Sequence, residues 1–222
     1  MNKVLIFGGA GFATTIGQAI IHANANGYNK YKFAGYINDD KSVDQIEGFP
    51  VMGNSDDIPI LLEKGYFFIY TILKIGSMPE RIKKFNDLNI PSERLATFVH
   101  PLSFISPTAK LEPGNVIMPL ASVNANTKVG RGTLVFSGSY IGHDCDIGQH
   151  NIIAANSCIG SWNYTGKGVW ISFNSTIRGR TILNDYSALG AGSVLTKNLP
   201  KNELWIGNPA KFHKYVDDKI NF

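Results

Sequence analysis

The sequence predicts an α/β domain with a parallel sheet, followed by a parallel β-helix. Strand-like and helix-like segments alternate up to about residue 100, and a six-residue period replaces them from Ile105 to Leu195. Of the sixteen positions reached by counting in sixes from Ile105, fifteen are aliphatic, and Thr165 is the exception. A fixed short repeat is typical of stacked units, because no single unit can bury its apolar face alone.

The position four residues after each aliphatic residue is mostly small or polar, and Cys145 occupies it in one repeat. Residues two apart share a face of an extended strand, so this residue is predicted to point inward beside the next aliphatic side chain. We therefore interpret Cys145 as a buried core thiol rather than a nucleophile.

The α/β domain is predicted at residues 1–100, the β-helix at 101–200 and a C-terminal tail at 201–222. Alternating strands and helices in the first domain indicate a parallel sheet. The predicted strands are residues 3–7, 32–37, a short segment within 48–53, 66–72 and 96–99. The predicted helices are residues 14–25, 58–64 and 79–88, with a short helix from residue 212 in the tail.

A glycine turn links the first strand to the first helix, as in nucleotide-binding domains that hold phosphate at the helix N-terminus. Because the full G-x-G-x-x-G pattern is absent, a tight turn without a ligand is an equal alternative. Asp39 and Asp40 follow the second predicted strand, where acidic residues commonly meet a ribose or base. A solvated turn is the alternative there.

His143 is the histidine best placed for catalysis. If three repeats form one coil, residues 18 apart stack, and His143 lies beside Ala125 and Ser161 at a corner outside the core. Asp144 can then orient the imidazole and stabilise its protonated form, although a surface histidine beside a carboxylate is the alternative. His150 falls on a different corner, so a metal site of converging histidines is not expected within one chain.

One outward-facing register is apolar along the whole stack. It contains Val116, Leu134, Ile152, Trp170 and Ala188. An exposed apolar column requires a partner surface, and closed cyclic symmetry covers it simply, so a homo-oligomer is predicted, with a trimer as the expected form.

The composition excludes several classes of protein. No apolar run reaches the ~18 residues of a membrane span, and the N-terminus lacks a secretory signal, so a cytoplasmic protein without a membrane partner is expected. The net charge of +4 is spread along the chain without a basic cluster, which disfavours nucleic acid as a partner. Two cysteines do not make a disulfide framework.

Six segments, GGAGFA, GYINDD, EGFPVMG, GHDCDIG, ALGAGSVLTKNLP and IGNPAK, occur in this order across both domains. In these segments the chain resembles the bacterial hexapeptide-repeat sugar acyltransferases that carry an N-terminal nucleotide-sugar-binding domain. These include the N-acetyltransferases of nucleotide-linked 4-amino sugars and the sialic acid O-acetyltransferases.

The resemblance implies a left-handed β-helix, a homotrimer, and acetyl-CoA as co-substrate between neighbouring β-helices. It also implies that His143 is the general base and that Asp144 assists it. The residues it places on the acceptor, a nucleotide-linked sugar, are Ala10, Gly11, Phe12, Asp39, Asp40 and Phe136. Those it places on the acyl-CoA are Ser161, Phe173 and Ala191.

Four positions depart from the family pattern. Phe12 stands where a histidine is usual, Phe136 where asparagine is frequent, and Gly142 where asparagine or glutamate precedes the base. Ile152 replaces a histidine that commonly lies near the thioester. The departures leave the predicted base in place and leave the acceptor and the acyl group open.

The function predicted from these residues is direct transfer of an acetyl group from acetyl-CoA to the amine of a nucleotide-linked 4-amino-deoxy sugar. A sugar O-acetyltransferase of the sialic acid type is the first alternative. A non-catalytic nucleotide-sugar-binding protein is the second. A nicotinamide oxidoreductase is disfavoured, because no second catalytic constellation accompanies the glycine turn.

Overall fold

The computed structural model describes residues 1–216 and begins with an α/β unit. Its strands are β1 (Asn2–Phe7), β2 (Tyr31–Ile37), β3 (Gln45–Ile46), β4 (Phe49–Gly53) and β5 (Phe67–Tyr70). Its helices are α1 (Phe12–Ala25), α2 (Ile58–Glu63) and α3 (Met78–Asp87), with 3₁₀ turns at Ser55–Asp57 and Ser92–Arg94. The sheet order is β3-β4-β2-β1-β5, and every pairing except β3 with β4 is parallel.

The rest of the described chain is a left-handed β-helix with three faces. The first face contains β7 (Phe104–Ile105), β10 (Ser122–Val123), β13 (Tyr140–Ile141), β16 (Cys158–Ile159), β19 (Thr176–Ile177) and β22 (Val194–Leu195). The second contains β8 (Lys110–Leu111), β11 (Lys128–Val129), β14 (Asp146–Ile147), β17 (Tyr164–Thr165) and β20 (Ile182–Leu183). The third contains β6 (Phe98–Val99), β9 (Val116–Ile117), β12 (Leu134–Val135), β15 (Ile152–Ile153), β18 (Trp170–Ile171), β21 (Ala188–Leu189), β23 (Glu203–Gly207) and β24 (Ala210–Tyr215).

The six-residue period produces this β-helix because each aliphatic residue of the repeat points into the prism. Strands pair with residues 18 positions away, as Tyr140 does with Cys158, so three repeats make one coil. Thr165, the exception in the aliphatic series, is also fully buried. Its hydroxyl oxygen accepts hydrogen bonds from the Gly148 N–H at 3.0 Å and the Asn151 side-chain amide at 2.6 Å, which satisfies a polar atom in the core.

The end of the α/β unit differs from the prediction. Phe98–Val99 does not extend the α/β sheet but pairs in parallel with β9 on the third face of the β-helix. The tail also differs, because Phe212–Tyr215 lies in β24, which pairs antiparallel with β23, and not in a helix. Residues 217–222 of the predicted helix lie outside the described part of the chain.

The apolar outward register has its partner surface within the same chain. Val116, Leu134 and Ile152 are fully buried in one hydrophobic cluster with residues of β1, β2, β5 and α1. Trp170 packs on the same cluster, and Ala188 is buried against Ile75. The interpretation of this column as an exposed surface was therefore wrong, and it gives no reason to expect a second chain.

None of the helices within residues 1–216 combines the length and the apolar character that a membrane crossing requires.

Candidate active site

His143 lies at the corner between the first and second faces, two residues after β13. Its Nδ1 is 2.7 Å from the Asp144 carboxylate, and its side chain is 43% exposed. Donation of the Nδ1 proton to Asp144 leaves the Nε2 lone pair free to accept another proton. The arrangement suits a general base that works from an exposed surface.

Asp144 is held in place from both sides. Its backbone has a φ of 54°, the left-handed conformation that turns the corner. One carboxylate oxygen contacts His143, and the other accepts a hydrogen bond of 3.1 Å from the Asn126 amide. The bonds from His143 and then Asn126 hold the pKa of Asp144 below its ordinary value, so the carboxylate stays ionised beside the imidazole.

The glycine at position 142 is explained by packing and not by catalysis. A Cβ at this position would lie 2.7 Å from the Ser161 backbone nitrogen in the next coil. The close approach of successive coils therefore excludes a side chain directly before His143, and the asparagine or glutamate of the family pattern does not fit here.

The glycine turn places Ala10 and Gly11 in solvent at the N-terminus of α1. Gly11 caps this 14-residue helix with a φ of 102°, a conformation that favours glycine. The Thr71 hydroxyl donates a 2.5 Å hydrogen bond to the Phe7 carbonyl and fixes the end of β1 beside the turn. A long helix presents free N–H groups and a positive dipole end here, which suits an anionic group.

Asp39 and Asp40 both have protein partners. Asp39 accepts hydrogen bonds from the Ser55 N–H at 2.8 Å and from Lys84 of α3 at 2.5 Å. Burial acts to raise its pKa, but the bonds from Lys84 and Ser55 outweigh burial and keep the pKa low. Asp40 accepts hydrogen bonds from the hydroxyl and the N–H of Ser42, which lower the pKa of Asp40 and close its own turn.

Phe12 and Phe136 meet each other across the two domains. Their ring centroids are 4.7 Å apart, and Phe12 also stacks on Trp170 at 6.0 Å. Two positions where the family has polar residues thus form one apolar contact between α1 and the corner that joins the third and first faces. Ile152, a third departure, is fully buried in the cluster that joins the domains.

Phe173 and Ala191 line a cavity of about 580 Å³ at this same corner. The walls are mainly apolar and come from the loop after β5, from the β-helix and from the β23–β24 hairpin. The remaining lining residues include Leu73, Ile75, Trp170, Leu204, Ile206 and His213. Ser161 is not part of the cavity, because it lies one coil above His143 at the other corner of the first face.

Of the eleven predicted site residues, four lie in loops of the α/β unit, namely Ala10, Gly11, Asp39 and Asp40. The other seven form two groups separated by the first face. One group contains His143, Asp144 and Ser161. The other contains Phe12, Phe136, Phe173 and Ala191. Three further residues beside His143 were not predicted from the sequence: Asn126, Trp162 and Arg180. They occupy the position of Asp144 in the other coils, and the 18-residue spacing that links them to Asp144 was the signal that could have identified them.

Between residues 1 and 216, no cluster of three or more histidine, cysteine, aspartate or glutamate side chains has the geometry to hold a metal ion.

The fold defines a two-domain protein in which an α/β unit precedes a hexapeptide-repeat β-helix. His143 lies at an exposed corner of that β-helix. Residues 126–161 match the family described as bacterial transferase hexapeptide (six repeats). A segment of 50 residues is 44% identical to the dTDP-3-amino-3,6-dideoxy-α-D-galactopyranose 3-N-acetyltransferase of Aneurinibacillus thermoaerophilus. That segment covers 22% of this chain and 26% of the relative, so the match spans about a quarter of the relative's length.

Solved structures share the whole two-domain fold. A variant of perosamine N-acetyltransferase from Caulobacter crescentus, in complex with CoA and GDP-perosamine, superposes with a TM-score of 0.82 at 22% identity, over 96% of this chain and 98% of that one. The acetyltransferase domain of PglB from Neisseria gonorrhoeae, in complex with acetyl-CoA, gives 0.81 at 22% identity, over 96% and 100%. The resemblance to hexapeptide-repeat proteins with an N-terminal α/β domain is confirmed at the level of the repeats and the fold.

Proposed function

We propose that this protein is a CoA-dependent N-acyltransferase that moves an acetyl group from acetyl-CoA to the amine of a nucleotide-linked amino sugar. The observation that supports it best is the His143–Asp144 pair at an exposed β-helix corner, with Nδ1 engaged and Nε2 available. The relatives named above carry sugar N-acetyltransferase activity in their names or CoA in their complexes, and they share this chain's repeats or fold.

The reaction we propose is direct transfer. His143 Nε2 accepts a proton from the acceptor amine as the amine nitrogen attacks the thioester carbonyl. The C–S bond then breaks, and the CoA thiolate leaves and takes a proton from the imidazolium. Ionised Asp144 stabilises the imidazolium through the 2.7 Å contact with Nδ1. The exposed turn before α1 holds the phosphates of the nucleotide.

The test is release of free thiol from acetyl-CoA in the presence of GDP-linked and UDP-linked 4-amino sugars and a dTDP-linked 3-amino sugar. We expect release with at least one of them and none with the matching sugar that carries a hydroxyl in place of the amine. Release with the hydroxyl sugar would instead establish an O-acetyltransferase. Nucleotide-sugar binding by calorimetry without thiol release would establish a non-catalytic binding protein.

We also propose that the active form is a homotrimer. Since His143 and the α/β unit that contains the proposed nucleotide-binding turn lie at opposite edges of the first face, a second copy is required to bring the base of one chain to the acceptor held by the next. Sedimentation equilibrium at micromolar concentration should give three times the 24.3 kDa chain mass. A monomer that turns over would contradict the trimer and the division of the site between copies.

A further inference from the structure

Four residues occupy the same corner position in successive coils beside His143. Asn126, Asp144, Trp162 and Arg180 are 18 residues apart and have φ values of 59°, 54°, 58° and 61°. Equal backbone conformation and equal spacing make their side chains project from the corner in register. Since this conformation is uncommon for residues other than glycine, asparagine and aspartate, tryptophan and arginine stand here against backbone preference.

The four side chains and His143 form a continuous series of contacts. Asn126 binds Asp144, Asp144 binds His143, and the His143 ring meets the Trp162 ring at 82° with centroids 4.5 Å apart. The backbone N–H of Trp162 also donates to the backbone carbonyl of His143 at 3.1 Å. The Arg180 guanidinium lies over the indole, 4.3 Å from the ring centroid.

Burial in the core does not explain Trp162. The residue is 48% exposed, so much of a large apolar surface stays in water. Its described ring contacts are those with His143 and Arg180. A perpendicular aromatic contact and a cation above the ring are both attractive interactions with defined geometry. The indole thus lies between the imidazole and the Arg180 guanidinium.

We propose that Trp162 is a positioning residue for His143 and that Arg180 holds the indole in the orientation this role requires. Asp144 fixes one nitrogen of the imidazole, but a single hydrogen bond leaves the ring free to swing about it. The perpendicular contact with Trp162 supplies the second restraint and leaves Nε2 directed at the acceptor. The proposal rests on the proposed function, in which His143 is the base.

The kinetic test compares Trp162→Ala and Trp162→Phe with the wild type, using acetyl-CoA and whichever amino sugar supports thiol release. We expect Trp162→Ala to lower kcat by about 10- to 100-fold, because misplacement of a catalytic group by ~1 Å can cost this much, while the KM for acetyl-CoA stays unchanged. Trp162→Phe keeps a ring against the imidazole and should recover most of the rate. An unchanged kcat in Trp162→Ala would overturn the proposal.

The matched control is Tyr164→Ala. Tyr164 is an aromatic residue of the same coil with 49% exposure, but it projects from the second face and not from the corner. We expect wild-type kcat. An equal loss in both alanine variants would show a general effect on the coil and would contradict a specific role for Trp162.

A spectroscopic test needs no substrate. In protein labelled with ¹³C-histidine, the ring resonances of His143 are assigned by their loss in His143→Ala. The Trp162 ring current acts on them at 4.5 Å, so they should shift in Trp162→Ala and stay in place in Tyr164→Ala. Unshifted resonances would overturn the positioning role. If His143→Ala retains full activity, the proposed base fails; if it is inactive while Trp162→Ala is not impaired, the positioning role alone fails.

Discussion

Replacement of His143 by alanine is expected to lower kcat for acetyl transfer by about 10²–10⁴-fold, the usual contribution of general base catalysis. The imidazole is the group whose free Nε2 can take the proton of the attacking amine, and Asp144 holds its other nitrogen at 2.7 Å. The side chain is exposed at a corner, so its removal opens no cavity in the core. CoA binding by calorimetry and the thermal unfolding midpoint should therefore stay at wild-type values.

The contribution of Asp144 is tested by measuring kcat of the Asp144→Asn variant. An amide cannot stabilise the imidazolium as a carboxylate does, so kcat should fall, though less than in His143→Ala. Asp146→Asn is the matched control, because Asp146 is also exposed but lies in β14 on the second face. Near-full activity in His143→Ala, or an equal loss in Asp146→Asn, would remove the pair from the mechanism.

Acidification to pH 4 is expected to remove about 3 kcal/mol of unfolding free energy through His150 alone. His150 is buried where α3 packs on the β-helix, with its ring inclined at 64° to that of Phe85 and the centroids 4.9 Å apart. Burial, and then the charge of Arg131, lower its pKa from 6.5 to about 4. Its Nε2 has no hydrogen-bond partner among the described residues, so a proton added there would be desolvated.

The direction follows from proton binding. Between pH 6.5 and 4 the unfolded chain protonates His150 and the folded chain does not. The contribution of His150 to the unfolding free energy is therefore fully present above pH 6.5, and it is lost as the pH drops toward the pKa of His150 in the folded chain. Urea unfolding of the wild type and of His150→Asn, measured from pH 7 to pH 4, isolates this residue from the carboxylates and from His100, whose pKa is lowered by burial and by His22.

Asparagine is the suitable replacement because His150 has a φ of 55°, a conformation that asparagine tolerates. The His150→Asn variant should be less stable than the wild type at pH 7, because the ring packing is lost. Its unfolding free energy should also change less with pH over this range than that of the wild type. Identical pH slopes in the two proteins would show that His150 does not titrate as its burial requires.

Local spacing was sufficient to identify the β-helix and the corner that carries His143. Asp144 lies beside His143 because it is the next residue in the chain. With three repeats per coil, a side chain stacks on the residue 18 positions away, and this rule placed Ser161 above His143. The same rule applies to Asn126, Trp162 and Arg180, and their contacts with the site were available from the sequence had the column been followed through Asp144.

By itself, the sequence determined most of the elements and the six-residue repeat, and with three repeats per coil it gave the residues of each column, since these depend on interactions between positions at fixed separations. It did not give strand β24, which was predicted as a helix, or the pairing of Phe98–Val99 with β9. Only the tertiary structure decided what covers the third face. From the sequence, an apolar column fits a surface covered by another chain as well as one covered by the chain's own first domain. The structure shows the second arrangement for Val116, Leu134 and Ile152. The choice depends on how the α/β unit docks, which is set by contacts such as Phe12 with Phe136 and Phe85 with His150 between residues far apart in the chain. A local sequence period does not specify such a contact. Each of the two residues fits the pattern of its own helix or coil whether or not the other residue lies beside it.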